Sequence, residues 1–146
     1  LDQSIQKQIK LKKLEHNYTQ KMKIKALGYD VRDLGKRIKK SKRHFIWKFE
    51  IDSKPHRVEF MISFISGKKK VIVDGSIVLE VKKVLTTSFQ YPFTIDQEHM
   101  LVIIQDKENF DLRINNQDFA ELWEKAKMRG DYEPSSYRSE KKYEGY

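Results

Sequence analysis

Between Trp47 and Gly75 the chain reads WKFEIDSKPHRVEFMISFISGKKKVIVDG, and apolar residues recur there at every second position. Phe45, Trp47, Phe49 and Ile51 form one such run; Val58, Phe60 and Ile62 form the next; Val71 and Val73, in phase with Lys69, mark a third strand. Alternate side chains of an extended chain point to opposite faces, so each run predicts a strand with one buried face. The breaks between runs are turn chemistry. Asp52-Ser53-Lys54-Pro55 and Ser66-Gly67 interrupt the pattern, and Asp74-Gly75 supplies the positive φ angles of a two-residue hairpin.

The same period continues downstream. Ile77, Leu79 and Val81 predict the strand returning from Asp74-Gly75, and Phe89, Tyr91 and Phe93 alternate around Pro92, an edge-strand residue. Met100 to Ile104 is a continuous apolar run, which predicts a strand buried on both faces. Phe110, Leu112 and Ile114 alternate up to Asn115-Asn116. The reading is therefore all-β: an antiparallel sandwich of about seven strands over residues 44–116. Asp118 with Glu121 three residues on predicts a capping box, opening a short helix that buries Phe119, Leu122, Trp123 and Ala126 and stops at Gly130.

Ahead of the strands the pattern is different. Ile5 and Ile9 fall four apart, and Leu11, Leu14, Tyr18 and Met22 continue at spacings of three and four, which predicts a helix over residues 3–27 with Gly28 as its stop. Residues 28–43 read as a connector, and six basic residues lie between Lys36 and Arg43: Lys36, Arg37, Lys39, Lys40, Lys42 and Arg43. Charge is concentrated here. Residues 1–43 hold 14 Lys and Arg against 4 Asp and Glu, residues 44–117 hold 10 of each, and residues 118–146 hold 6 against 7. The net charge of +9 thus belongs to the N-terminal arm and not to the strands. The expected organisation is a basic helical arm and linker (1–43), a sandwich with its short helix (44–130) and an extended tail (131–146). The chain starts at Leu1, which reads as a piece of a longer protein.

Composition removes several chemistries. With no cysteine, thiolate metal sites, disulfides and cysteine nucleophiles are excluded, and a reducing, cytoplasmic setting fits. Ser66-Gly67-Lys68 resembles part of a phosphate loop, but Ile62 stands where that pattern needs Gly, and Lys69 where it needs Ser or Thr. A tight turn with solvated lysines is the expectation. His16, His44, His56 and His99 have no carboxylate at metal-ligand spacing, so no metal or other cofactor and no catalytic residue is expected. Trp47 and Trp123 lie on apolar stripes and are assigned to the core. Glu59, between Val58 and Phe60, should face outward and make a structural salt bridge or hydrogen bond, with a neighbouring lysine as one candidate partner.

Taken together, Trp47, His56, Val58-Glu59-Phe60, Ser66-Gly67-Lys68 and Val73-Asp74-Gly75 resemble the Fas apoptotic inhibitory molecule family. Phe110 to Asn115, followed by Phe119, resembles that family's late strand and Asn turn. The resemblance implies an all-β sandwich that acts through protein contacts, with no catalytic residues attributed to the fold. Its members are associated with restraint of death-receptor signalling and protection against stress and aggregation. Two features depart from the family: one such domain is found where a tandem pair is usual, and Ser53-Lys54-Pro55 replaces an Asp-Gly turn before the His.

The expected function is a non-enzymatic interaction or scaffold module. The sandwich is the platform, and the striped helix (Leu11, Leu14, Tyr18, Met22) and the basic run tie it to an acidic surface in a larger protein assembly, such as the cytoskeleton or a cilium. The alternative is a nucleic-acid-associated protein using the same basic arm, although Tyr18 and Tyr29 are its only aromatic residues for base stacking. A membrane-surface role is not expected, because the helix's apolar face lacks Trp and Phe.

Overall fold

A computed structural model describes residues 2–11, 23–82 and 88–133. Nine strands are found among the described residues, in two antiparallel sheets. The first sheet runs in chain order: β1 (Ile24–Asp33), β2 (Lys42–Ile51), β3 (Lys54–Ser63), β4 (Lys68–Val73) and β5 (Ser76–Lys82). The second holds β6 (Gln90–Ile95), β7 (His99–Asp106), β8 (Asn109–Ile114) and the short β9 (Gln117–Asp118). A helical segment, α1 (residues 3–11), lies at the start, and α2 (Phe119–Arg129) follows the sheets.

The seven strands expected from periodicity all form; β1 and β9 are additional. β1 corrects two expectations. Residues 24–27 are strand and not helix, and residues 28–43 are not a loose connector: they complete β1, pass through a 3-10 turn at Lys39–Ser41 and enter β2 at Lys42. A bulge between Ala26 and Gly28 explains why alternation was hidden. Ile24 and Ala26 face the core before it, Tyr29 and Val31 after it, so the apolar phase shifts by one residue. Gly28 is therefore no helix stop.

The sheets pack face to face. Phe45, Trp47, Phe49, Val58, Phe60 and Ile62 of the first meet Leu101, Ile103, Phe110, Leu112 and Ile114 of the second. Phe110 is the hub: its ring lies 4.6 Å from Phe60 edge-on, 5.4 Å from Phe45 and 6.2 Å from Phe89. Edge-to-face packing adds electrostatic complementarity to burial. β7 departs from its expected double burial: Leu101 and Ile103 are buried, whereas Met100 is exposed. The far side of the second sheet carries no further layer among the described residues, as antiparallel sheets permit.

Two-residue turns close three hairpins. Asp52-Ser53, Asp74-Gly75 and Asn115-Asn116 all have positive φ, the type I′ pattern that matches strand twist. The turn before β3 is thus shorter than expected, and Lys54-Pro55 belongs to the strand, with Pro55 opposite Glu50. α2 packs on β1 and β8 through Phe119, Leu122 and Ala126, and Gly130 ends it in the left-handed conformation. The capping box does not form: Asp118 is the N-cap residue, but its carboxylate accepts from Arg113 Nε at 2.8 Å instead of from the helix backbone.

Candidate functional site

The family-motif residues act on the backbone. Asp74 opens the turn between β4 and β5 and reaches across to β3. Its Oδ1 accepts the Arg57 N–H at 2.7 Å, and its own N–H donates to the Arg57 carbonyl at 2.8 Å. The other oxygen accepts from His56 Nδ1 at 2.8 Å, so Nδ1 carries the proton. Gly75, at φ +85°, supplies the second left-handed residue of that turn. His56 is buried and packs on Phe49.

The same clasp recurs at the other hairpins. Asp52 Oδ1 accepts the Lys23 N–H at 2.9 Å, and the Asp52 N–H donates to the Lys23 carbonyl at 2.9 Å. In the second sheet Asn115 bonds both backbone groups of Met100, at 2.9 and 2.8 Å, and its amide donates to His99 Nδ1 at 3.2 Å. In each case the first residue of a type I′ turn extends the ladder onto the neighbouring strand. An Asp or Asn is needed because only a short side chain with an acceptor reaches that N–H.

Glu59 lies on the face away from the second sheet, as alternation demands, but it is buried and its partners are not lysines. His44 Nε2 donates to Glu59 Oε1 at 3.0 Å, and Arg57 donates to the same oxygen at 3.3 Å. Burial pushes the carboxyl's pKa up. The His44 hydrogen bond and the Arg57 charge outweigh that, and the net position is below the ordinary value of 4.5. Ile46, Met61 and Ile72 are buried on the same face.

Ser66-Gly67-Lys68 is the expected tight turn. Gly67 has φ +76°, its N–H donates to the Ser63 carbonyl at 2.9 Å, and the Ser66 hydroxyl accepts from the Lys68 N–H at 3.2 Å. Its lysines are not all solvated. Lys69 is buried, with its ammonium 3.4 Å from the Gly67 carbonyl and 5.5 Å from the Phe89 ring centre. Trp47 and Phe60 are core residues. Trp123 is half-buried, stacked on Phe119 and met edge-on by Tyr132.

The basic run divides in two. Lys36, Arg37, Lys39 and Lys40 are exposed on the β1–β2 loop around Ile38, which is 67 % exposed. Lys42 and Arg43 belong to β2. Arg43 is engaged: it donates to Asp33 at 3.1 Å, to the Glu108 carbonyl at 3.1 Å and to Asn109 at 3.3 Å, tying the loop's base to the second sheet. The loop itself is held by backbone bonds from Leu34 to Lys42, Gly35 to Lys39 and Ser41 to Ile38, at 2.7 to 2.9 Å. Leu11 is half-exposed in α1, while Leu14, Tyr18 and Met22 lie outside the described residues.

Periodicity gave no warning of a second feature. Tyr29, Trp47, Phe119 and Trp123 line a cavity of about 320 Å³ beside α2, with Asp111, Glu124 and Lys127 at its polar margin. Burial, and next the Asp111 charge, push the Tyr29 hydroxyl up to about 12. Trp47, Phe119 and Trp123 lie on apolar stripes that read as core, and Tyr29, which β1 brings to them, falls in the 28–43 stretch that the sequence reads as connector. Among the described residues no group of three or more His, Asp and Glu side chains is placed to hold a metal ion. No helix among them is long and apolar enough to cross a membrane.

Comparison with known proteins agrees with the motif. No curated protein and no solved structure matches the chain. The profile of the family described as Fas apoptotic inhibitory molecule (FAIM1) matches residues 44–136, from β2 through α2. The matched span holds the Asp74 and Asn115 clasps and the His44–Glu59 pair, and it covers well over half of the sequence; the chain belongs to the Fas apoptotic inhibitory molecule (FAIM1) family.

Proposed function

We propose that this protein is a non-enzymatic interaction module that docks on an acidic protein surface through its β1–β2 loop, with the basic N-terminal arm as a second point of attachment. One observation carries the reading. Ile38 projects from a hydrogen-bonded loop with Lys36, Arg37, Lys39 and Lys40 exposed around it. An exposed apolar residue ringed by like charges suits a protein partner: the charges steer encounter, and the apolar contact adds affinity once water is expelled. The motif residues support it in a second way, since Asp74 and Asn115 are committed to backbone clasps and His56 to the Asp74 carboxylate, and none is aimed at a common reacting centre.

Co-sedimentation of the full chain with polymerised tubulin, an acidic protein lattice, and with duplex DNA tests this. The lattice should bind, and replacing Lys36, Arg37, Lys39 and Lys40 by Glu should weaken binding about tenfold or more. Ile38→Ser separates the partners: it should weaken the protein complex and leave DNA binding unchanged, because counterion release from phosphates is indifferent to an apolar side chain. Equal binding of wild type and the charge-reversed chain would overturn the loop's role. DNA binding without lattice binding would install nucleic acid as the partner.

A further inference from the structure

We propose that the cavity between α2 and the sheets is a binding site for an alkylammonium group, presented by a lysine side chain of another protein. The chemistry of the walls selects this ligand. The buried Trp47 and Phe119 and the half-buried Tyr29 and Trp123 line the cavity. Tyr29 lies 5.9 Å from Phe119 and 6.4 Å from Trp47, and Phe119 lies 6.5 Å from Trp123, so the rings form one continuous surface. Ring faces carry negative potential and attract cations within about 6 Å of the centroid.

The margin is acidic as well. Asp111 lines the cavity, and no hydrogen bond or ion pair reaches its carboxylate among the described residues. Arg113, whose charge acts on it, is engaged by Asp118 at 2.8 Å. Burial first, and then the charges of Asp106 and Asp118, push the Asp111 carboxyl's pKa up against the Arg113 charge. Glu124 is the second carboxylate, and it shows how a cation sits here. Lys127 pairs with it at 2.8 Å and places its ammonium 5.9 Å from the Trp123 ring centre. The protein's own lysine thus already makes the contact proposed for the ligand, at the rim. A volume of about 320 Å³ admits a four-carbon chain with its ammonium, and is small for a nucleotide.

The site shares no residue with the 34–41 loop, so its failure would leave the docking proposal standing. Tryptophan fluorescence of the full chain, titrated with n-butylammonium, Nα-acetyl-lysine methylamide and the neutral, slightly longer alcohol n-pentanol, reads it directly. Both ammonium probes should saturate, and pentanol should bind at least about tenfold more weakly. Asp111→Asn, a conservative change at the cavity margin, should weaken the ammonium probes about threefold and leave pentanol unchanged. Lys127→Met, which removes the competing ammonium, should tighten them. Pentanol binding as well as butylammonium, or an unchanged Asp111→Asn titration, would overturn the cation assignment. Butylammonium binding without the lysine amide would overturn the lysine source. Backbone amide shifts of α2 and β1, recorded by NMR on the same samples, keep the test decisive if the tryptophans prove silent: no shift with either ammonium probe sinks the site.

Discussion

Glu59 shows how far alternation carries at the scale of one residue. Counting from Val58 and Phe60 puts its side chain on the face away from the second sheet, which is correct. Alternation does not say whether that face is dry, and here it is: Glu59 is 2 % exposed and bonded to His44 and Arg57. His44 was outside every pattern because its partner lies fifteen residues away on β3. The pair has a pH signature. Glu59's folded pKa is depressed, so its contribution is fully present above the ordinary value of 4.5 and is lost as pH falls through the folded pKa. Glu59→Gln should cost about 1–3 kcal/mol at neutral pH, since a buried hydrogen-bonded charge is replaced by a weaker acceptor. It should also flatten the loss of stability below pH 4.5, measured by urea midpoints across that range. An acid limb as steep as wild type would mean that other carboxylates control it.

At the scale of elements, the β1–β2 hairpin holds the clearest test. A Cβ on Gly35 would collide with the Ile38 carbonyl and with Ser41 Oγ. Gly35→Ala should therefore open the loop that presents Lys36 to Lys40, while the sandwich keeps its fold. Amide exchange should show lost protection at Ser41 and Gly35, whose N–H groups bond within the loop, and unchanged protection in β7 and β8. A cooperative loss of stability throughout would show that the loop is part of the core unit. β1 was also the element least legible beforehand. Its bulge broke the period of two at Leu27, and the stripe ending in Tyr18 and Met22 invited the helix to be carried through residue 27. Asp33 opposite Arg43 was the signal available, a cross-strand charge pair at the mouth of a hairpin. By contrast, β2 to β4 have no bulge within them before Val71, and Asp52-Ser53 and Asp74-Gly75 fix their registers; those strands were readable for that reason. The cavity was not readable, because its rings come from β1, β2 and α2 and no local pattern joins them.

For the whole molecule, the decisive feature is how the segments that lead into β1 and out of α2 are held. Lys23 is clasped to Asp52 at the start of β1, and Glu133 donates its N–H to the Leu27 carbonyl at 2.6 Å while its carboxylate lies 3.7 Å from the Lys48 ammonium. Entry and exit thus meet at one margin of the first sheet, on its edge strand. The mechanical consequence is a load path that bypasses the core. Tension applied between residues 23 and 133 enters at the first residues of β1 and at the strand's own edge, so it peels the β1–β2 ladder one bond at a time instead of shearing many together. Single-molecule pulling through those positions should show an early, low-force release of β1 with the β2–β8 body intact; a single high-force rupture would contradict that path. A module tethered through both of its ends would then give way at its edge strand under strain and keep its folded centre.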